Sequence, residues 1–302
     1  MPIINFPPTF DPNYYRRSYP ELNFFPDGVL IEHYKRFAIE RGHSTCAYDR
    51  QEHLKVMLQD VVENTNLKFL EISPWDNPLI YGNNVKYFST ADSETLKKIA
   101  VEKERPFNNV PEKIDFISSN GNLDIIEETF DIVVSSHVIE HCPDLIKHLQ
   151  SVSRILHQGG LYILIIPDKR YCFDHYQPES TIEEVIDAFV AERKFPRLSK
   201  VIKLFTDTHN YAIRHWLGDH GERNIGYQNE ESRERLLKEI EKYLAALKND
   251  EYIDTHNWQF IPDSFGYIIS LLKKLGFIDL SLYRLCHTVF ARFEFIAVLE
   301  KN

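Results

Sequence analysis

Short apolar runs alternate with amphipathic stretches along this chain, and their order predicts its architecture. Residues 67–72, Leu67-Lys68-Phe69-Leu70-Glu71-Ile72, read as a strand ended by Ser73-Pro74-Trp75-Asp76-Asn77-Pro78. Residues 84–88 predict a second strand, 94–101 a helix and 114–117 a short third strand. The run Phe130-Asp131-Ile132-Val133-Val134-Ser135-Ser136 is apolar until it meets small polar residues, and a helical region follows that closes at Ile155-Leu156. Gly159-Gly160 then predict a turn into a buried strand over 161–167. Runs apolar on both faces suit the interior of a parallel sheet covered by helices. A helix over 262–272 stops at Gly276, and two β-rich runs, 278–285 and 293–299, finish the chain. The alternation predicts a doubly wound, seven-stranded, mostly parallel α/β sheet. The last two strands have no helix between them, so they predict an antiparallel finish. In open α/β sheets, ligands bind at the carboxyl ends of neighbouring strands.

Two segments fall outside that alternation. Residues 1–48 read as a small helical unit beside a main domain over 49–302: Asp11 before Pro12 marks a helix start, and 30–42 form a second amphipathic stretch ending at Gly42. Between 168 and 260 lies a long insertion with helices predicted at 181–192 and 230–247. Their polar faces read as solvated surface. The insertion's place after the fifth strand also fits a cover over a ligand cleft, so we expect it to bind the acceptor.

Composition narrows the class. The chain has 302 residues, 43% hydrophobic and 26% charged, as in a soluble globular protein. No apolar run approaches the ~20 residues that span a bilayer. The start, Met1-Pro2-Ile3-Ile4-Asn5-Phe6-Pro7-Pro8, lacks a basic region and a long apolar segment, so no secretory signal is expected. Cys46, Cys142, Cys172 and Cys286 show no paired spacing, which fits the reduced cytoplasm. A net charge of -10 argues against a nucleic-acid partner.

The motifs in this order resemble class I S-adenosylmethionine-dependent methyltransferases, over about residues 67–167 and 261–300. The best match is Phe130 to His141, with Arg154-Ile155-Leu156 and Gly159-Gly160 behind it. The resemblance implies S-adenosylmethionine as cofactor, and it assigns residues to it. Glu71, Ser73 and Pro74 would hold the methionine part. Ser89 stands at the end of the second strand, where the family carries an acid for the ribose; Asp92 is the nearest carboxylate. Asn122 and Leu123 match the adenine position, where Asn can still supply an amide oxygen. Ser136 and His137 would line the pocket from the fourth strand. The turn Ser73-Pro74-Trp75-Asp76 lacks the family's glycines. Pro167-Asp168-Lys169-Arg170-Tyr171 and Phe173-Asp174-His175 are similar to methyltransferases of bacterial surface-polysaccharide synthesis, which implies a sugar hydroxyl as acceptor.

Methyl transfer to a hydroxyl needs alignment and a base, and neutral His serves near pH 7. His141, His175 and His137 are the candidates, with His256 a weaker one. Each has a bland alternative: His137 as pocket lining, His141 as a loop clamp, His175 as a surface loop residue. Lys169-Arg170 either meets a phosphate on a sugar donor or pairs with Asp168. The segment His137-Val138-Ile139-Glu140-His141 also has the spacing of an inverted zinc-peptidase motif. That chemistry needs a sustained helix, and Cys142-Pro143-Asp144 breaks it. Some related methyltransferases carry a divalent ion on a similar segment, but no metal is expected. A methyltransferase-like module that binds cofactor without turnover is the alternative, suggested by Ser73 and Ser89.

Overall fold

The structure is a computed structural model, and it describes residues 12–34, 46–47, 54–203, 212–221, 230–289 and 292–302. Strands β1 (Cys46–Ala47), β2 (Phe69–Ile72), β3 (Val85–Ser89), β4 (Phe116–Ile117), β5 (Phe130–Ser136), β6 (Leu156–Pro167), β7 (Leu280–His287) and β8 (Glu294–Lys301) form one sheet. Their order is β1-β7-β8-β6-β5-β2-β3-β4. Strand β8 runs antiparallel to β6 and β7, and every other pairing is parallel. These are the seven strands expected, with the antiparallel finish, plus a two-residue edge strand.

Successive side chains of β5 feed opposite faces. Val133 joins one core with Leu149, Val152, Phe265 and Ile269, while Ile132 and Val134 join the other with Leu58, Val62 and Ile163. Helix α5 (Leu145–Ile155) and helix α10 (Pro262–Lys274) cover the first face, and α3 (Lys55–Asn64) covers the second. Local signals set the helix starts. Asp92 accepts from Thr95 N–H at 2.8 Å to begin α4 (Ser93–Glu102), and Asp144 accepts from Lys147 N–H at 2.9 Å to begin α5. Such caps contribute about 1 kcal/mol each.

The expected turn at Gly159-Gly160 lies inside β6. Pairing with β5 slips there, between Phe130↔Leu156 and Ile132↔Leu161, so extra residues bulge out. Gly159 has φ 75, and a Cβ on Gly160 would meet the carbonyl oxygens of His157 and Asp131 at 2.9 and 3.0 Å. Close backbone approach requires glycine there.

From the N-terminal segment the structure describes α1 (Pro12–Ser18), a 3-10 turn (Pro20–Leu22) and α2 (Asp27–His33). Asp11 and the expected helical residues 35–42 lie outside the described residues. Tyr15, Tyr19, Leu22 and Leu30 form a separate small core. The Tyr19 hydroxyl reaches Asp263 Oδ1 and His287 Nε2, both at 3.3 Å, and β1 pairs with β7. This segment thus lends a strand to the main sheet. The insertion holds α6 (Ile182–Val190), α7 (Leu198–Lys203), α8 (Ala212–Trp216) and α9 (Glu230–Asn249). A parallel bridge between Asp168 and Phe260 closes its base. Among the described residues no helix is long and apolar enough to cross a membrane.

Candidate active site

The chain runs outward from β2 through β3 to β4, then returns to β5 on the other side of β2. Neighbouring crossovers diverge at that switch, which opens a crevice at the strands' carboxyl ends. A cleft of about 1680 Å³ lies there. It is lined by Glu71, Ser73, Pro74, Ser89, Asn122, Leu123, Ser136 and His137, every residue that the resemblance assigned to the cofactor. The insertion covers it with Phe189, Arg193, Phe195, Tyr252 and Asp254.

Backbone geometry explains the missing glycines. Ser73 and Trp75 occupy the left-handed region at φ 56 and 48, so the turn keeps a glycine-like path with side chains attached. Glu71 holds the far end of this loop. Its buried carboxylate accepts from Leu79 N–H at 2.9 and 3.0 Å and from Ile80 N–H at 3.3 Å. Lys103 and Arg105 flank the Trp75 ring at 4.9 and 4.6 Å, and Arg105 Nε donates to Asp76 at 2.7 Å. Ser89 is buried, and Asp92, the nearest carboxylate, is engaged in capping α4. Asn122 Oδ1 accepts from Asp124 N–H at 3.0 Å and Leu123 enters the core, so this pair shapes the loop beside the cleft.

After β5 the backbone makes a single 3-10 turn, Ile139–His141, with no α-helix until Leu145. His137 has φ 55. The turn places His137 and His141 beside one fully buried carboxylate, Glu140, and the returning insertion adds His256. Its Oε1 lies 3.4 Å from His137 Nδ1, 3.7 Å from His141 Nε2 and 3.9 Å from His256 Nε2. Each ring is backed by another acid: Glu294 lies 2.6 Å from His137 Nε2, Asp254 3.2 Å from His141 Nδ1, and Asp174 2.6 Å from His256 Nδ1. Burial opposes charge on His137, but Glu140 and Glu294 together raise its pKa to about 9. The raised value favours the imidazolium near neutral pH, which makes His137 a poor proton acceptor among the candidates the sequence offered. Burial would raise the Glu140 pKa, but the three histidines hold it near 2. His256 is likewise raised, by Asp174 and Glu140 against burial.

His175 lies elsewhere. Its Nδ1 donates to the Arg170 carbonyl at 2.8 Å, and its ring stacks on His220 at 3.8 Å, with His215 close by. It does not line the cleft, because the chain turns at Cys172–His175 and sends Asp174 inward in its place. Arg170 takes the pairing alternative: it meets Asp168 through Nε and Nη2 at 2.9 and 2.6 Å. Lys169 Nζ donates to the His175 carbonyl at 3.0 Å. The Tyr171 and Trp216 rings stack on each other at 4.0 Å, away from the cleft, whose aromatic lining is Trp75, Phe88, Phe189, Phe195, Tyr252 and Phe293. Asp174, Asp254 and Glu294 were not anticipated. The sequence held one clue, an acid next to or two before a histidine in Asp174-His175 and Asp254-Thr255-His256.

Residues 83–164, from just before β3 into β6, match the methyltransferase domain family. The sheet order is that of a doubly wound, Rossmann-like α/β fold, and the match over residues 83–164 supports S-adenosylmethionine as cofactor. Among solved structures, an S-adenosylmethionine-dependent methyltransferase from Clostridium acetobutylicum is 13% identical, with a TM-score of 0.40 over 91% of this chain and 98% of that one. The CcbJ methyltransferase from Streptomyces caelestis is 12% identical, with a TM-score of 0.27 over 44% of this chain and 53% of that one. The trans-methyltransferase CalH, in complex with S-adenosylhomocysteine, is 8% identical, with a TM-score of 0.37 over 81% of this chain and 55% of that one. No curated protein matches the sequence.

Proposed function

We propose that this protein transfers a methyl group from S-adenosylmethionine to a hydroxyl of a sugar, within a bacterial surface glycan or its nucleotide-linked precursor. The observation that carries methyl transfer is the cleft itself. One wall is made of the strand-end residues of β2, β3 and β5, and the roof comes from the insertion, where an acceptor would lie. Glu71 and the left-handed Ser73 shape the loop that would take the methionine part. Ser89, Asn122 and Leu123 border the space for the nucleoside. Ser136 and His137 close the pocket from β5. The cofactor supplies the electrophilic methyl group; the protein aligns the acceptor and takes its proton. Proton removal is assigned to the group around Glu140, with His141 its member on the cleft wall. The aromatic lining from Phe189, Phe195 and Tyr252 offers faces on which a sugar can stack.

Ser89, which has no carboxylate to offer a ribose, favours a second reading as a module that binds cofactor without turnover. The test is methyl transfer from radiolabelled S-adenosylmethionine to nucleotide sugars and oligosaccharides. Label in a sugar ether supports the proposal. Turnover of phenols or amines alone sinks the sugar assignment, and cofactor binding with no turnover on any acceptor supports the module.

A further inference from the structure

The surroundings of Glu140 are unusual for a carboxylate, whatever reaction the cleft performs. It is fully buried, and neither oxygen accepts a well-directed hydrogen bond. A buried charge without hydrogen bonds is costly, by several kcal/mol in real proteins. The nearest groups are three imidazole nitrogens, Nδ1 of His137 at 3.4 Å and Nε2 of His141 and His256 at 3.7 and 3.9 Å. The distances to His141 and His256 are too long for a hydrogen bond.

The opposite nitrogens explain what these two present. His256 Nδ1 lies 2.6 Å from Asp174, which can only accept, so Nδ1 carries the proton. His141 Nδ1 lies 3.2 Å from Asp254, a close contact without a well-directed hydrogen bond. In the neutral form that binds a metal, His256 Nε2 then holds a lone pair and His141 can take the same tautomer, so both nitrogens would face a carboxylate that also offers only lone pairs. Two such nitrogens and a buried carboxylate gathered within 4.8 Å form a donor set that a metal cation would complete, in place of protons on the rings. The rings meet edge to face, at 4.6 Å and 90°, which lets both ring planes contain a common point.

We infer that Glu140, His141 and His256 form a binding site for one divalent transition-metal ion, zinc being the best fit. Ligand atoms about 2.0–2.2 Å from a tetrahedral zinc lie roughly 3.3–3.6 Å apart, so a small contraction closes this set, whose ligand atoms lie within 4.8 Å of one another. Imidazole with carboxylate suits zinc and its first-row neighbours, while magnesium and calcium prefer all-oxygen ligands. The acids behind the rings complete a carboxylate–histidine–metal arrangement, which fixes the tautomer and strengthens each ligand. His137 stays outside the set, since Glu294 engages it at 2.6 Å. The ligands therefore differ from the contiguous His137-x-x-Glu140-His141 motif: one of the three comes from the insertion, 115 residues after His141. His141 lines the cleft, so an ion held by this set would border the acceptor space. A hydroxyl bound there would be acidified, a use that rests on the methyl-transfer reading. A second group, His175, His215 and His220, is a weaker candidate. His175 and His220 stack nearly parallel, at 12°, so an ion shared by them would lie out of both ring planes.

The test reads metal directly. The full chain is stripped with chelator, dialysed, and titrated separately with Zn²⁺ and Co²⁺, following metal content, visible absorption and thermal unfolding. The expected result is one equivalent of zinc, a visible cobalt spectrum of nitrogen–oxygen coordination, and a melting temperature that falls on stripping and returns on loading. His256→Ala and Glu140→Gln are expected to lower affinity at least tenfold, and His220→Ala to leave it unchanged. Absence of stoichiometric zinc in the folded wild-type protein overturns the inference without using any variant. Binding lost in His220→Ala but kept in His256→Ala overturns it too. All these readouts are independent of turnover, so a failed sugar assignment leaves the metal result standing.

Discussion

His256 Nδ1 lies 2.6 Å from Asp174 Oδ2, across 82 residues of sequence and almost the whole insertion. The contact binds the beginning of the insertion to its end directly beside Glu140. Asn257 N–H and Trp258 N–H both donate to the Glu140 carbonyl, at 2.7 and 3.1 Å, and tie the returning chain to the turn after β5. The cleft roof and the carboxylate under it are thereby one mechanical unit.

Asp174→Asn tests that unit. The amide keeps the shape but replaces an acceptor with a group that can present a donor, so His256 loses its fixed tautomer. We expect methyl transfer to fall about 10- to 100-fold, the cost of removing a partner that orients a functional histidine. Unfolding free energy should fall by about 1–3 kcal/mol. Unchanged turnover would show that the pair only fastens the insertion.

Cofactor binding is checked by thermal unfolding with S-adenosylhomocysteine. Ligand at about a hundred times its dissociation constant should stabilise the protein by ~2.7 kcal/mol. Ser73→Gly should keep this shift and add roughly 1 kcal/mol of stability, because glycine relieves the left-handed conformation at φ 56. Ser73→Val should lose stability and weaken binding, since a branched side chain tolerates that conformation poorly.

Glu71→Ala removes the acceptor for Leu79 and Ile80 N–H. Two buried donors left without it should cost about 1–3 kcal/mol each. The loop they anchor borders the cofactor wall, so affinity for S-adenosylhomocysteine should fall along with the melting temperature. A calorimetric titration that leaves affinity unchanged would separate the loop from binding.

The pH dependence of stability carries the signature of His137. Its folded pKa, about 9, is above the ordinary value of 6.5. Its stabilisation is thus fully present below about pH 6.5 and is lost as pH rises through 9. Glu140 is shifted the other way, to about 2, so its contribution is present above pH 4.5 and lost as pH falls through 2. In chelator, melting temperature should decline from pH 7 to 10, and His137→Gln should flatten that limb while lowering stability at pH 7. An equally steep alkaline limb in the variant would remove His137 as its source.

The sequence by itself determined the sheet, its antiparallel finish and the position of the cleft, for a local reason. Continuous apolar runs such as Ile132–Val133–Val134 must be buried on both faces, and caps such as Asp92 and Asp144 act within three residues of themselves. Strand ends follow from these, and the residues at them, from Glu71 to His137, fall together at the switch in strand order. The tertiary structure alone decided which histidines meet. His175 and Asp174 are adjacent, but the turn at Cys172–His175 sends one to a histidine stack and the other to His256. His137 is pushed toward the cation by Glu140, on its own turn, together with Glu294 on β8, which only the fold brings to it. Proton position on His256 and part of the charge on His137 depend on partners 82 and 157 residues away, and only the folded chain sets those distances.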